Sequence, residues 1–288
     1  MTTIASSELP VNPDGTIFHL HLHPTDIADN IILFGDPGRV TLAARLLHTI
    51  EIDKQNREYH TITGTYAGKR ITLLSHGIGI GNIDIIVNEL DALANINLNT
   101  RQPNPTHRSL NLIRIGTSGA NNPNLSIGHR VVSVKSIGLD GVLYYYNPIA
   151  EIRDTKLEDA YFHHMPNYIR WAHPYAVTSD STLNQRLAFD CIKGITISAP
   201  GFYGPQGRQL RLPLRRPDYT QYFETFLYQR MHILNYEMES SLLIGLAHAL
   251  HHHATTICLI IAQRNQGNIN TDYQALMTNL ISDILKRI

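Results

Sequence analysis

The chain has 288 residues, 43% hydrophobic and 17% charged, a composition that can bury a sizeable core and excludes a disordered polymer. Lys plus Arg equals Asp plus Glu at 24 each, so no global field draws in nucleic acid or an anionic membrane, and any anion site must be local. Two cysteines exclude a disulfide framework and a four-cysteine metal site, while the absence of a long apolar run and of a signal-like start points to a soluble cytoplasmic protein.

In chain order, residues 1–16 read as an extended N-terminal segment of a single domain spanning 1–288. In "FHLHLHP", His19, His21 and His23 alternate and would share one strand face, a possible metal face. A surface role is the competing reading, since no Cys or carboxylate stands at ligand spacing. "IILFG" reads as a strand, followed by Asp36 and Pro37, good first residues for a helix. "HTITGTYAG" and "RITLLSHG" are further strands. "SHGIGIGN" resembles a dinucleotide loop, but Asn82 stands where the third glycine would be and no well-placed acid follows. The next segment, "NIDIIVNELDALANI", puts Ile83, Ile86, Val87, Leu90 and Leu93 on one helical face, with Asn82 as its cap.

A loop at "NTRQPNPTHRS" precedes strands "LNLIRIGTSG" and "HRVVSVKSIGLDG"; a second long loop is expected at "YYYNPIAEIRDTKLED". After strand "GITISAPGF" comes "EMESSLLIGLAHAL", apolar nearly all round and so a buried helix, with His248, His251 and His252 near its end. Strand "ATTICLIIA" holds Cys258 as an inert buried thiol, and "YQALMTNLISDILKRI" is an amphipathic helix ending in basic residues. Strands alternating with helices, several strands apolar on both faces, define an α/β domain.

Three stretches carry chemistry. In "ILFGDPGRV", Gly35 lets the backbone approach a ligand and Arg39 adds a forked cation at a helix start; an anion site and a plain turn both fit. In "LIRIGTSGA", Arg114 lies inside an apolar strand, where a charge needs a partner, and Gly116 to Gly119 follow as a donor-rich turn. An oxyanion site is favoured there. In "NYEMESS", Glu237 and Glu239 open the buried helix, as caps or as carboxylates that grip sugar hydroxyls.

In order and spacing, "GDPGRV", "NREYHTITGTYAGKRITLLSHGIGIGNIDIIVNEL", "LIRIGTSGA", "FYGPQGR" and "NYEMESS" resemble the nucleoside phosphorylase-I family, and within it the members acting on uridine. The likeness runs from about His19 to the C-terminal helix. It implies a single α/β domain with a mixed, distorted β-barrel core surrounded by helices. It also implies reversible phosphorolysis, in which uridine and phosphate give uracil and ribose 1-phosphate, with phosphate as co-substrate and no cofactor. The matching positions assign phosphate to Gly35, Arg39, Arg114 and Thr117, with Arg57 supplied by a neighbouring subunit. His19 would reach the ribose 5′-hydroxyl across the same interface, making a dimer the smallest catalytic unit, commonly assembled into hexamers. Glu237, Met238 and Glu239 fall to the ribose, and Ser118, Gly119, Phe202, Gln206 and Arg208 to the base. Arg39, Arg114, Glu239 and Arg264 are the catalytic candidates.

The chain departs from the family pattern in places. The base loop reads "GPQ" where "PGQ" is usual, and Gly207 replaces an acid. Some relatives hold a monovalent cation with a glutamate matching Glu58, but Asn82 replaces the serine they use. Three phosphate arginines argue against a nucleosidase or a non-catalytic nucleoside-binding protein. Gln206, Arg208 and Arg264 argue against a purine nucleoside phosphorylase, whose members carry an Asp where Arg264 stands.

Overall fold

The computed structural model describes residues 3–147, 149–166 and 173–288. Ten strands of four residues or more occur among them: β1 (Asn30–Phe34), β2 (Thr49–Asn56), β3 (Tyr59–Tyr66), β4 (Lys69–Ser75), β5 (Asn111–Ala120), β6 (Arg130–Gly138), β7 (Tyr175–Thr178), β8 (Ile192–Ser198), β9 (Met231–Glu237) and β10 (His253–Gln263). The helices of seven residues or more are α1 (Pro37–Ala44), α2 (Ile80–Asn95), α3 (Thr155–His164), α4 (Ser181–Leu187), α5 (Ser240–Ala249) and α6 (Gln274–Arg287).

Five strands close on themselves. β9 pairs with β8, β8 with β6, β6 with β10, β10 with β5, and β5 returns to β9 through Asn235 opposite Ala120 and Tyr236 opposite Gly119. This is the distorted mixed barrel expected from the sequence. From β5 the sheet runs on through parallel β1 and β4 to the antiparallel hairpin β3–β2. Helices cover both faces, as the doubly apolar strands require. The α2 and α5 side chains pack with Ile31 and Leu112 on one side; Val40, Leu183 and Leu280 pack with Ile32 and Ile113 on the other. No helix among the described residues is long and apolar enough to cross a membrane.

Local chemistry sets the element ends. Asp36 caps α1 by accepting from the Gly38 N–H at 2.8 Å, with Pro37 in the first turn. α2 starts at Ile80 behind Gly79, which is at φ +93°; Asn82 is inside the helix and returns its amide to the Ile78 carbonyl rather than capping. Glycine starts α2 because only glycine adopts that backbone without strain.

Other expectations also change. Residues 3–16 fold in turns, with Leu9 and Ile17 buried in the core, instead of running extended. His19, His21 and His23 share no strand: residues 18–20 form a turn and His21 lies at φ +54°. The stretch read as the loop "YYYNPIAEIRDTKLED" is largely helical, including Ile149–Ile152 and the start of α3; its Pro148 lies outside the described residues. Its apolar periodicity is weak, and α3 is held by the Asp154 cap on the Leu157 N–H and by an Arg153–Glu158 ion pair. β2 escaped the sequence reading because it is an edge strand with no fully buried residue.

Gly64 in β3 faces the Thr49 and Ile50 backbone so closely that a Cβ would collide with the Thr49 carbonyl. Gly64→Ala is therefore expected to destabilise by roughly 1–3 kcal/mol, a melting-temperature loss of several degrees. Gly81→Ala, inside α2 with open space around it, should hold or raise the melting temperature.

Candidate active site

Arg114 lies in the middle of β5, only 4% exposed. Gly116, two residues on and so on the same strand face, makes room for it: a Cβ there would lie 2.7 Å from Arg114 Nη1. Every nitrogen of the guanidinium is engaged. Nη1 pairs with Glu237 Oε2 at 2.9 Å, Nη2 with Glu239 Oε2, and Nε donates to His76 Nε2 at 3.3 Å. Burial opposes the Arg114 charge, yet Glu239 and Glu237 more than offset it and hold the proton above the ordinary arginine range. Burial and the neighbouring Arg114 push His76 well below its ordinary value, so it is a neutral acceptor here. Burial pushes Cys258, 3.8 Å from Nη1, up to about 12, which fits the inert thiol expected from sequence.

The two glutamates divide the roles left open by the sequence. Glu237, at the end of β9, accepts from the backbone N–H groups of Glu239 and Ser240 and from the hydroxyls of Ser198 and Ser240. It is the cap and anchor of α5. Glu239 makes no cap bond; it accepts from the Gly79 N–H at 2.7 Å and pairs with Arg114. Burial raises the Glu239 pKa, Arg114 opposes that, and Glu237 adds to it. Its carboxylate lines the cavity and is free to take a ligand hydroxyl.

One cavity of about 210 Å³ gathers Gly35, Arg39, Arg114, Thr117, Ser118, Gly119, Phe202, Gln206, Arg208, Glu237, Met238 and Glu239. They come from strand ends and the turns that follow: β1 into α1, the end of β5, the loop after β8, and the β9–α5 junction. At one end Arg39 Nη2 donates to Thr117 Oγ1 at 3.3 Å and to Tyr273 Oη at 3.2 Å. At the other, the Arg208 guanidinium stacks 3.8 Å over the Phe202 ring and donates to Gln206 Oε1 at 2.5 Å. Burial and Arg264 lower Arg208 to about 10. Asn235 donates to Ser118 Oγ at 2.9 Å, and Gly119 gives passage to the side chains of Arg264 and Arg208.

Arg264, expected to be catalytic, is tied to the base loop in this structure. Its guanidinium donates to the carbonyls of Gln206 and Gly207, outside the cavity lining, and so shapes the base loop. Gly207 is at φ +69°, with Thr220 Cγ2 2.6 Å from where a Cβ would be. The acid usual at this position in the family cannot fit this turn.

His19, Arg57 and Glu58 also lie outside the cavity. Arg57 is at the tip of the β2–β3 hairpin at φ +54°, its guanidinium 5.8 Å over the exposed Phe18 ring. A non-glycine held in that region is strain that commonly accompanies a functional position. His19 Nδ1 is 2.6 Å from Glu89 Oε1, and the same carboxylate accepts from the backbone N–H groups of His19 and Leu20. Beside Glu58, the Asn82 amide donates to the Ile78 carbonyl, while its oxygen accepts from Tyr59. An N–H₂ group therefore faces a site where a cation needs oxygen ligands, and the residues do not fit a monovalent cation.

The histidines near the end of α5 do acquire carboxylates, from segments remote in sequence. Asp91, His107 and His252 bring ligand-type atoms within 4.8 Å of one another, and His253 Nδ1 is 2.7 Å from Asp180. His252 Nδ1 accepts from the Leu110 N–H, which leaves its proton on Nε2, facing Asp91 at 3.2 Å. That tautomer makes the cluster a hydrogen-bonded tie between α2 and the α5–β10 turn; it presents no lone pair of His252 to a metal.

Two residues at the site were missed from sequence. His76 stands in the glycine-rich stretch weighed only as a dinucleotide loop, so its signal was present. Tyr273, at the start of α6, has no local signal, because its partner Arg39 is 234 residues away.

Residues 29–286 match the family model of the phosphorylase superfamily. The chain belongs to that superfamily, and it is an enzyme. It is 27% identical over 270 residues to the uridine phosphorylase of Thermococcus kodakarensis, covering 90% of this chain and 82% of that protein. A shorter likeness, 32% over 119 residues and 41% and 46% of the two chains, relates it to a DeoD-type purine nucleoside phosphorylase of Caldanaerobacter subterraneus. A Trypanosoma brucei nucleoside phosphorylase, reported to show uridine phosphorylase activity, superimposes with a TM-score of 0.89 over 97% of this chain and 98% of that one. At 24% identity this is agreement in fold.

Removing Arg114 would leave two buried carboxylates uncompensated. Arg114→Ala is expected to cost roughly 3–5 kcal/mol at neutral pH. Without the arginine the folded-state pKa of these carboxyls stands above the unfolded value, so folding takes up protons on acidification. The thermal-stability deficit should shrink between pH 8 and pH 5; a deficit independent of pH would refute the charge assignment.

Proposed function

We propose that the enzyme is a pentosyltransferase that cleaves pyrimidine nucleosides with phosphate, uridine giving uracil and ribose 1-phosphate. The observation that carries this is the polarity of the cavity. Arg39, Arg114 and Thr117 stand at one end, Glu239 and Met238 between, and Gln206 with Arg208 at the other. The base end has no carboxylate to donate a proton to a purine ring nitrogen; Arg264 occupies that position and serves the loop. Gln206 can donate and accept while Arg208 only donates, a match for the carbonyl and imide edge of uracil. Of the named relatives, two carry uridine phosphorylase in their name or reported activity, and the third, alike over a shorter stretch, is a purine nucleoside phosphorylase.

In this reading the arginines hold phosphate against C1′, supplying proximity and orientation. A phosphate oxygen forms the bond to C1′ as the bond from C1′ to the base nitrogen breaks, and the electron pair leaves with uracil. The ribose gains positive character in transit, which the phosphate charge offsets. The charge growing on uracil is met by Arg208 and Gln206, donors already in place. Glu239 exchanges its Arg114 contact for ribose hydroxyls once phosphate takes up the arginine. Phosphate is the co-substrate, and the chemistry invokes no metal, no cofactor and no protein nucleophile.

Arg57, Phe18 and His19 form one outward patch, with Glu89 fixing the His19 ring so that Nε2 is left as an acceptor. We infer that this patch completes the cavity of a second copy, Arg57 reaching its phosphate and His19 its 5′-hydroxyl, in a dimer or a hexamer built from dimers.

Base release from uridine, thymidine, inosine and adenosine, each with and without phosphate, tests the activity. Phosphate-dependent release of uracil is expected; phosphate-independent release, or release from purines only, would refute it. Arg208→Ala should raise the KM for uridine at least about tenfold and leave the KM for phosphate near wild type. Subunit sharing has its own test. Arg39→Ala and Arg57→Ala proteins, each nearly inactive, should regain about a quarter of wild-type activity when unfolded and refolded together, because a mixed dimer holds one intact site. No recovery would place Arg57 outside the partner's site.

A further inference from the structure

We propose that Tyr273 is a positioning residue for the phosphate arginine, its hydroxyl and that of Thr117 together fixing the Arg39 guanidinium on the wall between the cavity and a second one behind it. The proposal rests on the phosphorolytic reading above.

Arg39 borders two spaces. One is the site cavity; the other, of about 250 Å³, lies between α1 and the start of α6 and is lined by Asp36, Arg45, Thr271, Gln274 and Tyr273 itself, among others. The guanidinium is half-buried between them and could serve either. Two hydroxyls decide the matter. Thr117 Oγ1, in the site, and Tyr273 Oη both accept from Nη2, and the Tyr273 ring lies 5.8 Å from the guanidinium carbon. Both protons of Nη2 are thereby used, and Nε is buried with no hydrogen-bond partner among the described residues. An unpaired N–H of a buried cation is costly unless a ligand takes it, and an oxyanion in the site supplies the acceptor.

Two charged groups of opposite sign share the second cavity with Tyr273. Asp36 is its one carboxylate and would attract the guanidinium outwards, while Arg45 has no ion-pair partner among the described residues and would repel it. Neither offers the geometry that Tyr273 and Thr117 fix together. The tyrosine hydroxyl contributes no charge and leaves the Arg39 charge free for the ligand. Its place at the start of α6 couples the C-terminal helix, buried through Met277, Leu280 and Ile284, to a group 234 residues earlier.

Tyr273→Phe removes the hydroxyl and keeps the ring. The expected result is a rise of about three- to tenfold in the KM for phosphate, the scale of one hydrogen bond to a charged group, with the KM for uridine and kcat at saturating phosphate within about twofold of wild type. The phosphate-induced rise in melting temperature, which needs no catalysis, should shrink in the same variant while the melting temperature without phosphate is retained. In an Arg39→Ala background the same change should have no further effect on phosphate binding, because Tyr273 acts through Arg39. An unchanged KM for phosphate, equal rises in both KM values, or additive effects in the double variant would each overturn the proposal. If wild-type protein gains no stability from phosphate and releases base without it, the phosphorolytic reading itself fails; a wild type that responds to phosphate beside an indifferent Tyr273→Phe refutes Tyr273 alone.

Discussion

The constraint on which the rest depends is a positive charge buried in a β-strand. Arg114 has lost its water, and the cost of that loss is met by two carboxylates and a neutral imidazole brought from two other segments. Each partner imposes its own condition. Glu237 must end β9 and cap α5, Glu239 must stand at the helix start beside Gly79, and His76 must stay unprotonated under the phosphate glycine. The barrel closes where β9 meets β5, next to these carboxylates, so closure of the fold and assembly of the site are one event. The buried network also explains the low exposure of Arg114: its charge is held at the cavity wall without being offered to bulk anions.

The same economy of charge runs through the base end. A chain with no net charge places three arginines, Arg39, Arg114 and Arg208, around one cavity. Arg114 is neutralised from behind; Arg208 is not, and its lowered pKa reflects burial beside another arginine. A site built this way favours a ligand that acquires negative charge at that end. Arg264 contributes by spending its own donors on the carbonyls of the loop, which sets the Gln206 side chain in place.

Much of this was legible in the sequence. The apolar runs gave seven of the strands and the three long helices, because both-face burial and a 3.6-residue stripe leave marks in any chain. Gly35, Arg39 and Arg114 stood out because glycines and charges out of place in apolar surroundings have few other uses; Thr117 and the base-loop residues were named by the family resemblance. What stayed hidden depends on contacts remote in sequence. α3 owes its helix to tertiary partners, the α5 histidines meet Asp91 and Asp180 only in the fold, and Tyr273 gains its meaning from Arg39 alone. Arg264 shows the same limit: its position is legible, but the direction its guanidinium takes depends on the Gly207 turn.

The placement of Arg57 closes the argument. Within one chain, the phosphate end of the cavity holds two arginines, and the third sits strained at a hairpin tip, pointing away from it beside an exposed phenylalanine. In the proposed reading, a side chain that does not reach its own cavity serves that of a second copy. The phosphate chemistry proposed here supplies that use. On that proposal catalytic competence is a property of the assembly, and the edge hairpin β2–β3, peripheral in the monomer, is part of a partner's active site.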